Sequence, residues 1–277
     1  MVINNTHRRN FAVFYLCCFV ISYGWLFFNQ LLFHQLQPVF FLNRLDLSLN
    51  IVFLAGIQKA LINNYPLQLV LDLLFLLMPF MLLATVNKKG QSYIAVLTCI
   101  FNFVYTLLLS SFTPLSISGF AGWILLPWIF VFRSHTGFYY SLNSIRYLFL
   151  LFFFSAGLWK IRTGAVFNTE QMSAVLLLQH AAYLVDAPSD WFTNCVNYLV
   201  IHKQLSFLLY LLVTIAELVF VIGFFTKKYD KALIVIFLLF VLFDFILMRI
   251  NYFPWVAFLG CFWFAKYSEP AVEEKQV

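Results

Sequence analysis

The chain has 277 residues, 63% of them hydrophobic and 10% charged, with a mean hydropathy of +0.90. A soluble domain is about 25% charged and about 45–50% apolar, so a water-soluble globule is excluded and the solvent of this fold is largely lipid. The net charge of +6 is spread over short loops with no basic patch, which excludes nucleic acid as a partner and leaves membrane lipids.

In chain order, a basic start with Arg8 and Arg9 leads into an apolar run over Asn10–Phe33. It is too long for a signal-peptide core and is followed by no small-residue cleavage site, so it reads as an uncleaved first span. The stretch Pro38–Ile62 is interrupted by Asn43, Arg44, Asp46, Asn50 and Lys59. That pattern predicts interfacial or bundle-packed helices, although a crossing at Asn50–Ile62 would invert everything after it. A span needs about 20 apolar residues. On that basis further spans are expected at Pro66–Val86, Ser92–Phe112, Leu115–Phe132, Leu142–Lys160, Leu205–Phe225, Ala232–Ile250 and Asn251–Phe264. Between the fifth and sixth lie Asn168–Val185 and Trp191–His202, which mix apolar residues with Gln179, His180 and Asn194 and read as amphipathic surface helices, Asp190 capping the second.

The expected fold class is therefore an all-α integral membrane protein. It is a bundle of roughly eight transmembrane helices with short interfacial helices, forming a single domain over residues 1–265. The polar tail 266–277 reads as disordered and cytoplasmic. The basic loops Lys88/Lys89, Arg133 and Lys227/Lys228/Lys231 fall on the side of Arg8 and Arg9, which predicts cytoplasmic N and C termini in the inner membrane. Four of the five cysteines sit in apolar runs and none shows a metal-ligand spacing, so no metal site is expected.

An ionisable side chain at the centre of a span costs about 2.5–3.5 kcal/mol on insertion scales, so each one in a span is a candidate. These are Asp72, Lys160, Glu217 and Asp244, with Arg249 beyond the last. Lys160 ends an aromatic-rich span and follows the small patch Ser155-Ala156-Gly157, which lets a neighbouring helix approach. The expected arrangement is an outward-facing polar pocket around Lys160 and Trp159, lined by Asp244 and Asp72. His180 is able to face it, and Glu217 stands apart at mid-span. A lysine walled by Phe152, Phe153, Phe154 and Trp159 can serve as a base, unless a nearby carboxylate holds it charged.

The sequence Phe154-Ser155-Ala156-Gly157-Leu158-Trp159-Lys160 resembles a helix end of the HTTM (horizontally transferred transmembrane) family. That family is related to the membrane domain of the vitamin K-dependent gamma-carboxylases. The resemblance extends to Glu217 on a long helix, the Gly223–Lys228 turn, Phe243-Asp244 and Ile250-Asn251-Tyr252-Phe253. Family members usually carry Phe-His where this chain has Phe243-Asp244, and the carboxylases' Asn-His pair has no counterpart at Ile117–Gly119. The resemblance implies Lys160 as a catalytic base and a quinone or lipid as cofactor; the enzyme expectation built on it is modification of a lipid, quinone or secreted peptide, with Asp244 orienting or balancing the lysine. A non-catalytic assembly or secretion-maturation factor with a membrane or secreted partner is the competing expectation.

Overall fold

The computed structural model describes residues 4–36, 47–113 and 117–265. Asn43, Arg44, Asp46 and the tail 266–277 lie outside the described residues. Every regular element among the described residues is helical. In order these are α1 Asn5–Phe28, α2 Leu47–Leu54, α3 Ile57–Ile62, α4 Tyr65–Thr85, α5 Gln91–Ser110, α6 Ala121–Leu125 and α7 His135–Arg162. They are followed by α8 Gln171–Asp186, α9 Trp191–Ile201, α10 Lys203–Val219, α11 Ile222–Phe225, α12 Asp230–Phe243, α13 Phe253–Val256 and α14 Leu259–Phe264.

Six segments among the described residues are long and apolar enough to cross a membrane: Asn5–Gln35, Tyr65–Thr85, Gln91–Ser110, His135–Arg162, Lys203–Phe225 and Asp230–Met248. The two remaining segments of the expected eight form shorter apolar helices, Ala121–Phe130 and Phe253–Phe264. Pro127 lacks the amide hydrogen that an α-helical ladder needs, and there the chain passes into a 3-10 helix, Leu126–Phe130. The segment containing Pro254 is split between α13 and α14. Helix α7 starts earlier than its apolar run, because Ser134 accepts the Gly137 amide and opens a helix at His135. Helices α2 and α3 have eight and six residues, each short of a span.

The chain has two compact units, one running to Arg146 and resuming at Phe253, the other Tyr147–Tyr252. In the first unit α1 buries Phe11, Tyr15, Phe19, Ser22 and Leu26, one helical stripe. Phe75 of α4 stacks on Tyr105 of α5 with centroids 3.8 Å apart, and Phe19 lies 4.8 Å from Trp123. Helix α5 presents a buried polar stripe, Thr98, Asn102, Tyr105 and Thr106. Asn102 donates to the Trp123 carbonyl at 2.8 Å, so the shortened α6 is held by its backbone.

Gly122 on α6 faces α13 so closely that a Cβ there would collide with the Pro254 carbonyl oxygen. A backbone atom cannot rotate away. Gly122→Ala is therefore expected to cost about 1–3 kcal/mol. Gly223→Ala, whose clash is with the flexible Leu150 side chain, should cost less. Unfolding of the two variants in detergent compares them directly.

Candidate functional site

The second unit builds its centre from aromatic rings. Phe153 of α7 meets Phe220, Phe237 and Phe240 with centroids 4.9, 5.1 and 5.2 Å away. One turn further along α7, Gly157 sits against α10: a Cβ there would lie 2.9 Å from Leu218 and 3.3 Å from the Glu217 Cβ. Absence of a side chain at this point lets the two helices close. Three residues on, Lys160 Nζ then reaches Glu217 Oε1 at 2.8 Å. The lysine also lies 5.3 Å from the centre of the Tyr210 ring, on the same face of α10.

Glu217 is thus the direct partner of Lys160, where the sequence set it apart at mid-span. The carboxylate side chain is 5% exposed and the lysine 22%. The other carboxylate oxygen, Oε2, is buried with no hydrogen-bond partner among the described residues. Asp244, also buried, stands within electrostatic range of both Lys160 and Glu217. Tyr252 is within range of the two carboxylates and packs on Phe240 at 5.7 Å. Two carboxylates, one ammonium and two phenols therefore converge in an apolar enclosure. Tyr210 and Tyr252 were not singled out from sequence, because a tyrosine in an apolar run carries no signal distinguishing a site from an interfacial belt.

Asp244 is positioned by an irregular helix end. After α12 the chain forms a π-helical turn, Asp244–Met248, and stops at Arg249 in the left-handed region with φ 53°. A helix end leaves carbonyls without partners, and α8 supplies donors: Gln179 Nε2 to the Met248 carbonyl and His180 Nε2 to the Leu247 carbonyl at 3.0 Å. Burial holds the His180 imidazole below its usual range. Arg249 lies between the Tyr183 and Phe192 rings, 4.2 and 4.1 Å from their centroids, and does not pair with Asp244. Tyr183 donates to Asp190 at 2.7 Å and keeps that carboxyl below the usual range; Asp190 caps α9 by accepting the Phe192 amide. His180 and Arg249 are thus positioning residues for the turn that carries Asp244.

The other two candidates have partners of their own. Trp159 is largely exposed and carries the Arg162 guanidinium over its ring at 5.2 Å. Asp72 belongs to the first unit and is consumed there. Its carboxylate accepts the Phe33 and His34 amides and the Tyr105 hydroxyl, and it pairs with His34 Nδ1 at 2.6 Å.

An apolar groove of about 800 Å³ is lined by α9, α10, α12 and the π-helical turn, among others by Leu199, Leu212, Val213, Phe240 and Leu247. Val213 precedes Glu217 by four residues and Phe240 precedes Asp244 by four, so groove and carboxylates share helix faces. Among the described residues no three His, Cys, Asp or Glu side chains converge as a metal site. Compared with family models, with curated proteins and with solved structures, the chain matches none of them.

Proposed function

We propose that this is an HTTM-like polytopic membrane protein that binds a hydroxyl-bearing amphiphile, a quinol or a lipid, and uses the Lys160–Glu217 pair as a base. The observation that carries the reading is the buried, unpartnered Oε2 of Glu217. A buried acceptor without a donor is costly, and a ligand hydroxyl is the group that satisfies it. In this reading the head of the amphiphile donates to Oε2 and its chain lies in the groove past Val213 and Phe240. Glu217 takes the hydroxyl proton on Oε2, while the Lys160 ammonium keeps its own protons, donates to Oε1, and offsets the negative charge that passes from the carboxylate to the amphiphile oxygen. Asp244 balances the charge of the Lys160 ammonium. The same reading counts the two shorter apolar segments as crossings, for eight spans, and keeps both termini on the cytoplasmic side of the inner membrane. Support for the orientation comes from the basic loops named above.

The test is mass spectrometry of organic extracts from protein purified in mild detergent. The wild type is expected to carry a stoichiometric hydroxyl-bearing amphiphile. Val213→Trp, which fills the groove, is expected to lower its occupancy on the order of tenfold or more. Wild-type protein that carries no such molecule, or a Val213→Trp variant that carries as much as the wild type, would overturn the proposal. A stoichiometric protein in place of the amphiphile would instead favour an assembly factor.

A further inference from the structure

At one end of the first unit three helix starts come together: α1 at Asn5, α5 at Gln91 and α7 at His135. They enclose a cleft of about 320 Å³ lined by Asn5, Arg8, Asn87, Gln91, Arg133 and His135. A helix N-terminus carries a partial positive charge and unsatisfied amide hydrogens. None of these three helices has an acidic residue in its first turn, and among the described residues no Asp or Glu lines the cleft.

Two arginines add full charges. Arg8 is 2% exposed and, among the described residues, makes its hydrogen bonds only to neutral acceptors: Gln91 Oε1 at 2.9 Å, the Phe132 carbonyl at 3.2 Å and the Arg133 carbonyl. Its Nε is buried with no partner there, and so is the Nδ1 of His135. The Arg133 guanidinium, on an exposed residue, lies close enough to Arg8 for the two charges to repel. A buried guanidinium held by neutral dipoles, with a second one repelling it, lacks the anion that would balance it.

We propose that this cleft is a binding site for a phosphate group, either the headgroup of an anionic lipid or a soluble phosphate. Arg133 and Arg8 would supply the charge, and the helix starts would supply amide donors. This site is independent of the Lys160 cluster, which lies in the other unit.

The test uses the full chain in a neutral detergent, with melting temperature and native mass spectrometry as readouts. The probes are phosphatidylglycerol, phosphatidylcholine and inorganic phosphate. Arg8 anchors the 132–133 backbone, so Arg8→Gln is liable to misfold and Arg133→Gln is the informative variant. Lys228→Gln, with the same loss of charge in the other unit, is the control. Phosphatidylglycerol or inorganic phosphate is expected to raise the melting temperature of the wild type, and phosphatidylcholine is not. Arg133→Gln should weaken that binding on the order of tenfold, with Lys228→Gln unaffected. Stabilisation by phosphatidylglycerol alone identifies a lipid headgroup, and stabilisation by phosphate identifies a soluble ligand. The proposal fails if neither probe stabilises the wild type. It fails equally if both variants lose binding to the same degree.

Discussion

Lys160→Met is expected to destabilise the protein by about 3–5 kcal/mol, because it leaves the Glu217 carboxylate buried without its counter-charge. The two ends of the pair are not equivalent. Glu217 is 5% exposed, whereas Lys160 at 22% keeps a route to solvent for its ammonium. Glu217→Gln should therefore cost less, about 1–3 kcal/mol, the range for one unsatisfied buried polar group. A double substitution, Lys160→Met with Glu217→Met, removes both charges together and should recover most of the loss. A double-mutant cycle measured by unfolding in detergent checks this. Additive losses would mean that the 2.8 Å contact carries no coupling. Function should separate from stability in the same series. The double variant should fold and yet carry no amphiphile, since the acceptor and its charged neighbour are both gone.

Asp72→Ala is the second large effect. It removes the acceptor for the Phe33 and His34 amides, the His34 ring and the Tyr105 hydroxyl at 2.6 Å. Phe33 and Tyr105 are almost wholly buried, so at least two donors have no water to turn to. At about 1–3 kcal/mol for each orphaned donor, the loss is on the order of 4 kcal/mol. Asp72→Asn keeps one acceptor oxygen and should lose distinctly less. Hydrogen exchange at the Phe33 and His34 amides reads the change locally, and a protection pattern equal to that of the wild type would show that the carboxylate does not anchor this turn. The amphiphile content should stay the same, because Asp72 serves the architecture of the first unit.

Lys160 shows how far the sequence reached. Its place at the end of a span after Ser155-Ala156-Gly157 is legible as chemistry: a charge at a costly depth beside residues that admit a neighbour. The neighbour itself is not legible. Helical depth alone put Glu217 at mid-span and Asp72 beside the lysine. In the structure the Gly157 contact brings α10 against α7, and 57 residues of separation close to a 2.8 Å pair. Asp244 stands within electrostatic range of Lys160. The π turn that aims it, and the α8 donors that hold that turn, have no sequence signature, since they depend on carbonyls that a regular helix would have satisfied. Arg249 was five residues from Asp244, a poor helical spacing for a pair, and it lies between two aromatic rings instead.

The sequence by itself determined the solvent and the secondary structure. Long apolar runs with so few charges can be stable only as lipid-embedded helices, because a lipid-exposed backbone must satisfy its own hydrogen bonds. It also marked which ionisable residues needed a reason. The tertiary structure decided what each is partnered with: Lys160 with Glu217 and Asp244, Asp72 with Tyr105 and His34. It also broke two of the expected spans at Pro127 and around Pro254. The physical reason is the same in each case. Hydropathy is a sum over single residues along one helix, whereas the partner of a buried charge is fixed by where another helix can approach, and that is set by a missing side chain or an interrupted backbone on the facing surface.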